Sequence, residues 1–195
     1  MENQIHTSMN SIKTQWKEKW VNQPSLMLIT VVIWSIFIGL CIQAGALLFT
    51  FAYSLFNPIV SQNLYEGLNL SALREQNIWY YGGVLSIVLF IAGQKAYLFF
   101  LMIRIFLKIN LIQPFSREVS KLISSISYVA LEIGAGIIIA SGIFKWMQVR
   151  GYELDRVPQI LGGGFEFLLM AALLIAIGMV FKRGVEIQEE NELTV

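Results

Sequence analysis

The loop that decides the fold reads Arg104-Ile-Phe-Leu-Lys-Ile-Asn-Leu-Ile-Gln-Pro-Phe-Ser-Arg-Glu-Val-Ser-Lys121. It lies between long apolar segments and contains one acid, Glu118, against four basic residues: Arg104, Lys108, Arg117 and Lys121. Short basic loops between membrane spans stay on the cytoplasmic side of the bilayer. This loop therefore predicts the orientation of the rest of the chain.

The same loop predicts a helix end and a helix start. Pro114 cannot continue the preceding helix, because proline lacks an amide hydrogen and its ring clashes with the turn before it. Ser116 can accept a hydrogen bond from the first free amides of a new helix, with Glu118 in its first turn.

The composition is that of a membrane protein. Hydrophobic residues make up 56% of the 195 residues and charged residues only 14%. In soluble domains, charged residues make up about 25% of all residues. The single cysteine, Cys41, excludes an intramolecular disulfide, and the single histidine, His6, excludes a histidine-based metal site. We expect no cofactor and no metal.

Four apolar segments exceed or approach the roughly 20 residues that a membrane span needs. We predict transmembrane helices over residues 26–56, 82–107, 122–147 and 160–181. Short connections predict an all-α fold, an antiparallel four-helix bundle forming a single membrane domain. In the 59–81 loop, we expect four leucines to lie partly against the membrane: Leu64, Leu68, Leu70 and Leu73.

Residues 1–22 have an amphipathic helical pattern. Apolar residues recur every three or four positions, with lysines off that face. The pattern favours an amphipathic helix lying in the membrane interface. A disordered or bundle-packed tail is the alternative.

The distribution of basic residues predicts that both termini are cytoplasmic. Nine Lys and Arg residues fall on the side of the 104–121 loop: Lys13, Lys17, Lys19, Arg104, Lys108, Arg117, Lys121, Lys182 and Arg183. Four fall on the other side: Arg74, Lys145, Arg150 and Arg156. The excess marks the cytoplasmic side.

Two segments resemble a bacterial family of membrane proteins, domain of unknown function 2975 (DUF2975). One is residues 110–124, with Gln-Pro-Phe-Ser before a capped helix; the other is Phe181-Lys-Arg-Gly-Val-Glu-Ile-Gln-Glu-Glu-Asn-Glu-Leu-Thr-Val195. The resemblance covers the four spans and the tail, and it implies the bacterial cytoplasmic (inner) membrane. It implies no agreed activity. A small helix-turn-helix transcriptional regulator is the partner it implies.

Polar residues within the spans form a candidate intramembrane polar site, because such groups are costly in hydrocarbon. They are Gln43, Gln94, Lys95, Tyr128, Glu132 and Glu166. Lys95 and Glu132 lie at similar depth, so we predict that they form an ion pair, with the Tyr128 and Glu132 stripe turned into the bundle. The pair is either a structural contact that fixes helix register or a functional proton, ion or ligand site.

No catalytic set, zinc motif or nucleotide loop is visible, so we expect no enzyme. We also find no internal repeat or broken helix, which transporters commonly have. Two functions stay open. One is a regulatory or interaction protein; the other is a small transporter, or an immunity-type protein that binds a lipid, peptide, proton or ion at Lys95 and Glu132. Small residues four apart leave a homo-oligomer open.

The regulatory hypothesis depends on a cytoplasmic surface of opposite charges. Its basic part is Arg104, Lys108, Arg117 and Lys121, and its acidic part is Glu186, Glu189, Glu190 and Glu192 in the 184–195 tail. This surface would bind a soluble protein, not nucleic acid directly. The alternative is that Lys182 and Arg183 anchor the last span at the lipid headgroups while the acids remain solvated.

Overall fold

The computed structural model describes residues 24–109, 115–154 and 156–193. Within these ranges the regular structure is entirely helical. The α-helices are α1 (Pro24–Phe56), α2 (Ser71–Gln76), α3 (Ile78–Lys108), α4 (Arg117–Val149), α5 (Val157–Leu161) and α6 (Gly164–Leu193). Four stretches are long and apolar enough to cross a membrane: α1, α3, α4 and the α5–α6 segment. The all-α prediction with four membrane-length helices is confirmed. The predicted interfacial helix at 1–22 lies outside the described residues.

Side-chain caps fix several helix ends. The Ser116 hydroxyl accepts a hydrogen bond from the Val119 amide at 3.2 Å, so α4 begins where the sequence predicted it. The Asn77 side chain accepts from the Trp79 and Tyr80 amides and starts α3. Such caps satisfy amides that have no partner inside the helix.

The long helices pack in the order α1, α3, α4, α6, and each neighbouring pair is antiparallel. Tyr81 near the start of α3 donates to Ser54 near the end of α1, at 2.5 Å. Lys108 at the end of α3 pairs with Glu118 at the start of α4. Among the described residues no comparable contact joins α1 to α6. The four helices therefore form a row in which α3 and α4 are the inner members.

A compact cap covers one end of this row. It consists of residues 57–77, which include the 3-10 turns Pro58–Gln62 and Tyr65–Gly67 with α2, and of the described residues within 150–163, which include α5. Seven of its apolar side chains are at most 3% exposed: Leu64, Leu68, Leu70, Leu73, Leu154, Val157 and Leu161. The expectation that the first four lie against the membrane is wrong. They pack inside the protein because the cap and the helix ends supply an apolar surface of their own.

The fourth apolar segment differs from the predicted span at 160–181. A short α5 ends at Leu161, two glycines interrupt the helix, and α6 then continues to Leu193, twelve residues past Phe181. The glycine pair explains the break, and the absence of proline after Phe181 lets the helix continue. The start of the acidic tail is thus an extension of a membrane helix.

A candidate site at the break between α5 and α6

The break is made by two glycines in special environments. Gly162 has φ 73° and ψ −168°, a backbone conformation that is essentially restricted to glycine. At Gly163, the folded-back Glu166 side chain occupies the space that a Cβ would need. Residues 162–163 thus divide the fourth apolar segment into α5, which belongs to the cap, and α6, which is long enough to span the membrane by itself.

Lys95 lies at this break. Its ammonium group donates a 2.6 Å hydrogen bond to the carbonyl oxygen of Leu161, the last residue of α5. The same nitrogen lies 5.6 Å from the centre of the Phe167 ring in α6. Carbonyls at a helix end carry partial negative charge, and an aromatic face attracts a cation. Lys95 thus connects α3 to both sides of the break.

The predicted pairing of Lys95 with Glu132 is wrong. Lys95 bonds to Leu161, and no ion pair between Lys95 and Glu132 occurs in the described part of the chain. Glu132 is exposed, and Tyr128 on the same stripe is 64% exposed. The prediction assumed that the polar stripe of α4 faces inward. The buried side of α4 is instead built from apolar and small residues: Ala130, Ile133, Gly134, Ile137 and Ala140.

The other predicted intramembrane residues do not converge on one point. Gln43 in α1 and Gln94 in α3 are half-buried, whereas Glu166 in α6 is exposed. Glu166 is the third residue of α6, where the positive end of the helix dipole stabilises a carboxylate. The structure therefore separates the predicted site into the Lys95 break and an outward-facing Glu132.

The cap contains a polar cleft that the sequence did not reveal. It has a volume of about 440 Å³ and is lined by Glu66, Arg156, Gln159 and Ile160. Glu66 has φ 54° and is the one described non-glycine residue with a positive φ. Such strain requires support from neighbouring structure. Burial, with the Glu66 carboxylate close by, raises the pKa of Tyr65 next to it in the chain.

Helix α5 contributes residues both to the cleft and to the contact with Lys95. Gln159 and Ile160 line the cleft, while the next residue, Leu161, accepts the Lys95 hydrogen bond. The residues come from the 57–77 and 150–163 segments, which are far apart in sequence. No local spacing or motif could have shown that the two loops meet.

At the opposite end of the molecule, the predicted charged residues do form pairs. We call this the basic end: the described residues within 104–121, together with 182–193. Arg117 at the start of α4 makes two hydrogen bonds to the Glu189 carboxylate in α6, at 2.5 and 2.8 Å. Lys108 pairs with Glu118, and Arg183 pairs with Glu186 at 3.0 Å.

Aromatic contacts fix the extension of α6 against the loop. The Phe115 and Phe181 rings lie 5.3 Å apart between their centres. The Phe115 ring also occupies the space next to Gly184 that a Cβ would need. Arg104 and Lys121 are exposed, as is Glu190, and the side chain of Glu192 lies outside the described part of the chain.

The comparison with protein families agrees with the sequence resemblance. A family model described as "Protein of unknown function (DUF2975)" matches residues 57–195. The chain belongs to the DUF2975 family. The match starts directly after α1, so the family region comprises the cap, the three later long helices and the basic end, whereas the resemblance was expected to cover all four spans. No curated protein and no solved structure matches the chain significantly.

Proposed function

We propose that this DUF2975 protein is a membrane-embedded interaction protein that presents its basic end to a soluble partner in the cytoplasm. The observation that carries the proposal is the continuation of α6 as a helix to Leu193. A bidentate ion pair between Arg117 and Glu189 holds this part of α6 against the start of α4. A helix that projects from the last apolar residues in a fixed direction gives a partner a defined surface. A solvated tail would not.

The charges of this surface suit regulated docking. Its ion pairs are exposed, and exposed pairs contribute only about 0–1 kcal/mol each. They can therefore orient α6 and still be exchanged for the charges of a partner at little cost. The acidic face includes Glu186 and Glu189, with Glu190 exposed beside them. A partner with a basic surface fits this face, and a small helix-turn-helix regulator is the partner class that the family resemblance implies.

The location of the surface supports the proposal. The basic end holds six of the nine Lys and Arg residues on the predicted cytoplasmic side, and the nine-to-four excess favours the cytoplasmic side of the bacterial inner membrane for this end and for both termini. A soluble regulator would meet the protein at this end.

A truncation after Gly184 tests the proposal. It removes the acidic part of α6 but keeps Phe181, Lys182 and Arg183, so insertion and folding should be unchanged. We expect cytosolic proteins that co-purify with the full-length chain in mild detergent to be lost. Mass spectrometry of the two purified samples measures the loss.

A milder variant separates the role of the acidic charges from that of the helix itself. Glu186→Gln, Glu189→Gln and Glu190→Gln together keep the helix but remove acidic charge, since glutamine and glutamate have similar helix propensities. This variant should also lose the partner. If the truncated chain retains every cytosolic partner of the full-length chain, the basic end has no docking role and the proposal fails.

The break at Lys95 favours a second candidate function, a small transporter or an immunity-type binding protein. Transporters place ligands where interrupted helices expose their ends. Lys95 lies at such an interruption, and α5 links it to the polar cleft. The same purification distinguishes the candidates, because this one expects a bound lipid or peptide in place of a soluble regulator.

A further inference from the structure

The polar cleft of the cap brings two opposite charges together. Glu66 comes from the 3-10 turn Tyr65–Gly67, and Arg156 immediately precedes α5. A guanidinium nitrogen of Arg156 lies 3.3 Å from the position that a Cβ on Gly67 would take, so the arginine lies against the turn that carries Glu66. The two side chains form no ion pair with each other, since the ion pairs of the described chain join other residues. Both charged groups thus line the cleft without neutralising each other.

Buried residues hold both walls of the cleft in place. On one side, Leu64 and Leu68 flank the turn and are buried, and the Leu64 amide donates a 2.8 Å hydrogen bond to the Leu68 carbonyl. On the other side, Val157 and Leu161 of α5 are buried, and Lys95 donates to the Leu161 carbonyl. Small-molecule sites are usually formed before the ligand arrives, because a rigid site loses less conformational entropy on binding.

The backbone of Glu66 indicates that this position is kept for its side chain. Its φ of 54° lies in the left-handed region, which glycine adopts freely and residues with a Cβ adopt rarely. Glu66 is exposed, so its side chain is not required to fill the core of the cap. Residues held in such conformations cluster at ligand sites. A glutamate kept here at a conformational cost supplies a carboxylate to the cleft.

We propose that the cleft binds a small zwitterion that carries an ammonium and a carboxylate group, as free amino acids and short peptides do. The Arg156 guanidinium donates two hydrogen bonds to the ligand carboxylate, and the Glu66 carboxylate accepts from the ligand ammonium. A ligand with a single charge would be attracted by one of these residues and repelled by the other. Gln159 supplies an amide donor and acceptor, and Ile160 contacts the aliphatic part of the ligand.

The size and lining of the cleft favour a soluble ligand over a lipid. The volume of about 440 Å³ lies within the range of small-molecule sites, about 300–1,000 Å³. Ile160 is the one apolar residue among the four that line the cleft, so an acyl chain would find little apolar surface there. Binding at this site requires neither a partner at the basic end, which lies at the opposite end of the molecule, nor transport past Lys95.

Thermal shifts of the purified full-length protein in mild detergent test the proposal. The probes are the common free amino acids, added singly, and the dipeptide alanyl-alanine. We expect at least one of them to raise the melting temperature, because a ligand that binds only the folded state stabilises it. The N-acetylated and the amidated forms of that compound each lack one charge and should bind about tenfold more weakly in isothermal titration calorimetry.

Three outcomes of these titrations would overturn the proposal. The first is no response to any of the soluble zwitterions. The second is equal binding of the zwitterion and of its singly charged forms. The third is a response to added phosphatidylethanolamine alone, which would assign the cleft to a lipid.

Substitutions assign the two charges. Arg156→Gln and Glu66→Gln should each weaken zwitterion binding about tenfold. Arg150→Gln is the matched control, because the Arg150 guanidinium is exposed and lies 4.0 Å from the centre of the Trp146 ring, outside the cleft. The control and the truncation after Gly184 should both bind as the full-length chain does, which separates this site from docking at the basic end. An equal loss for Arg150→Gln and Arg156→Gln would contradict the proposal.

Glu66→Gly separates binding from folding. Glycine adopts a φ of 54° at little cost, so this variant should keep or raise the melting temperature of the ligand-free protein. It should lose the response to the zwitterion, because the carboxylate is gone. A Glu66→Gly variant that still responds as strongly as the full-length chain would show that Glu66 does not bind the ligand.

Discussion

At the scale of single residues, the sequence identified the polar groups but not their partners. Lys95 and Glu132 lie at similar depth, yet Lys95 bonds to a backbone carbonyl and Glu132 faces outward. Depth follows from counting residues along helices. The direction in which a polar side chain of α4 faces depends on which sides of α4 contact α3 and α6. Both of these contact surfaces are apolar. Ser116 shows the contrast, because a cap bonds within its own turn and can be predicted from neighbouring residues.

The separation of Lys95 and Glu132 leads to a prediction about stability. Lys95→Met leaves the Leu161 carbonyl without its charged donor, which should cost about 1.5–3 kcal/mol. Glu132→Gln changes an exposed side chain on another face of the protein. Because the two side chains share no contact, their effects should add within about 0.5 kcal/mol. Thermal melts of the two single variants and the double variant measure this. If the double variant loses clearly less stability than the sum of the two single losses, the two side chains pair directly.

At the scale of elements, the sequence predicted the number of long helices and missed the break in the last one. A run of three glycines is compatible with a flexible helix start and with close packing, and both occur here. Gly162 has a backbone that only glycine adopts readily, and Gly164 allows close contact with α4. The extension of α6 was missed because an acidic sequence after a basic pair is typical of a solvated tail.

The α4–α6 contact predicts the effect of adding one methyl group. A Cβ on Gly134 would lie 2.9 Å from the Gly164 carbonyl oxygen and 2.8 Å from the Leu168 side chain. The backbone of Gly164 cannot move aside without disturbing the packing of α6, so Gly134→Ala should destabilise the protein by about 1–3 kcal/mol. Gly142→Ala is the matched control on the same helix, with nothing within 4 Å, and should be neutral or stabilising. Equal melting temperatures for the two variants would mean that α6 does not pack this closely.

At the scale of the whole molecule, the long helices differ in how far they extend toward the cap. The apolar part of α6 covers residues 164–181, about 27 Å at 1.5 Å per residue, close to the thickness of the hydrocarbon layer. It begins beside Gly134, so nearly half of α4, residues 135–149, extends past it toward the cap. The cap fills this space with buried leucines. Its core depends on contacts between distant loops, so the sequence could not predict it.

The orientation of this molecule leads to the last prediction. The excess of Lys and Arg at the basic end should hold that end in the cytoplasm, with the cap on the outer side. In a Cys41→Ala background, Glu75→Cys reports on the cap and Glu118→Cys on the basic end. Both side chains are exposed, and neither is a helix cap. An impermeant thiol reagent on intact cells should label position 75, and it should label position 118 only after permeabilisation. The Cys41→Ala parent gives the background. Labelling of position 118 but not 75 on intact cells would reverse the topology and would place the α6 extension beyond the reach of any cytosolic partner.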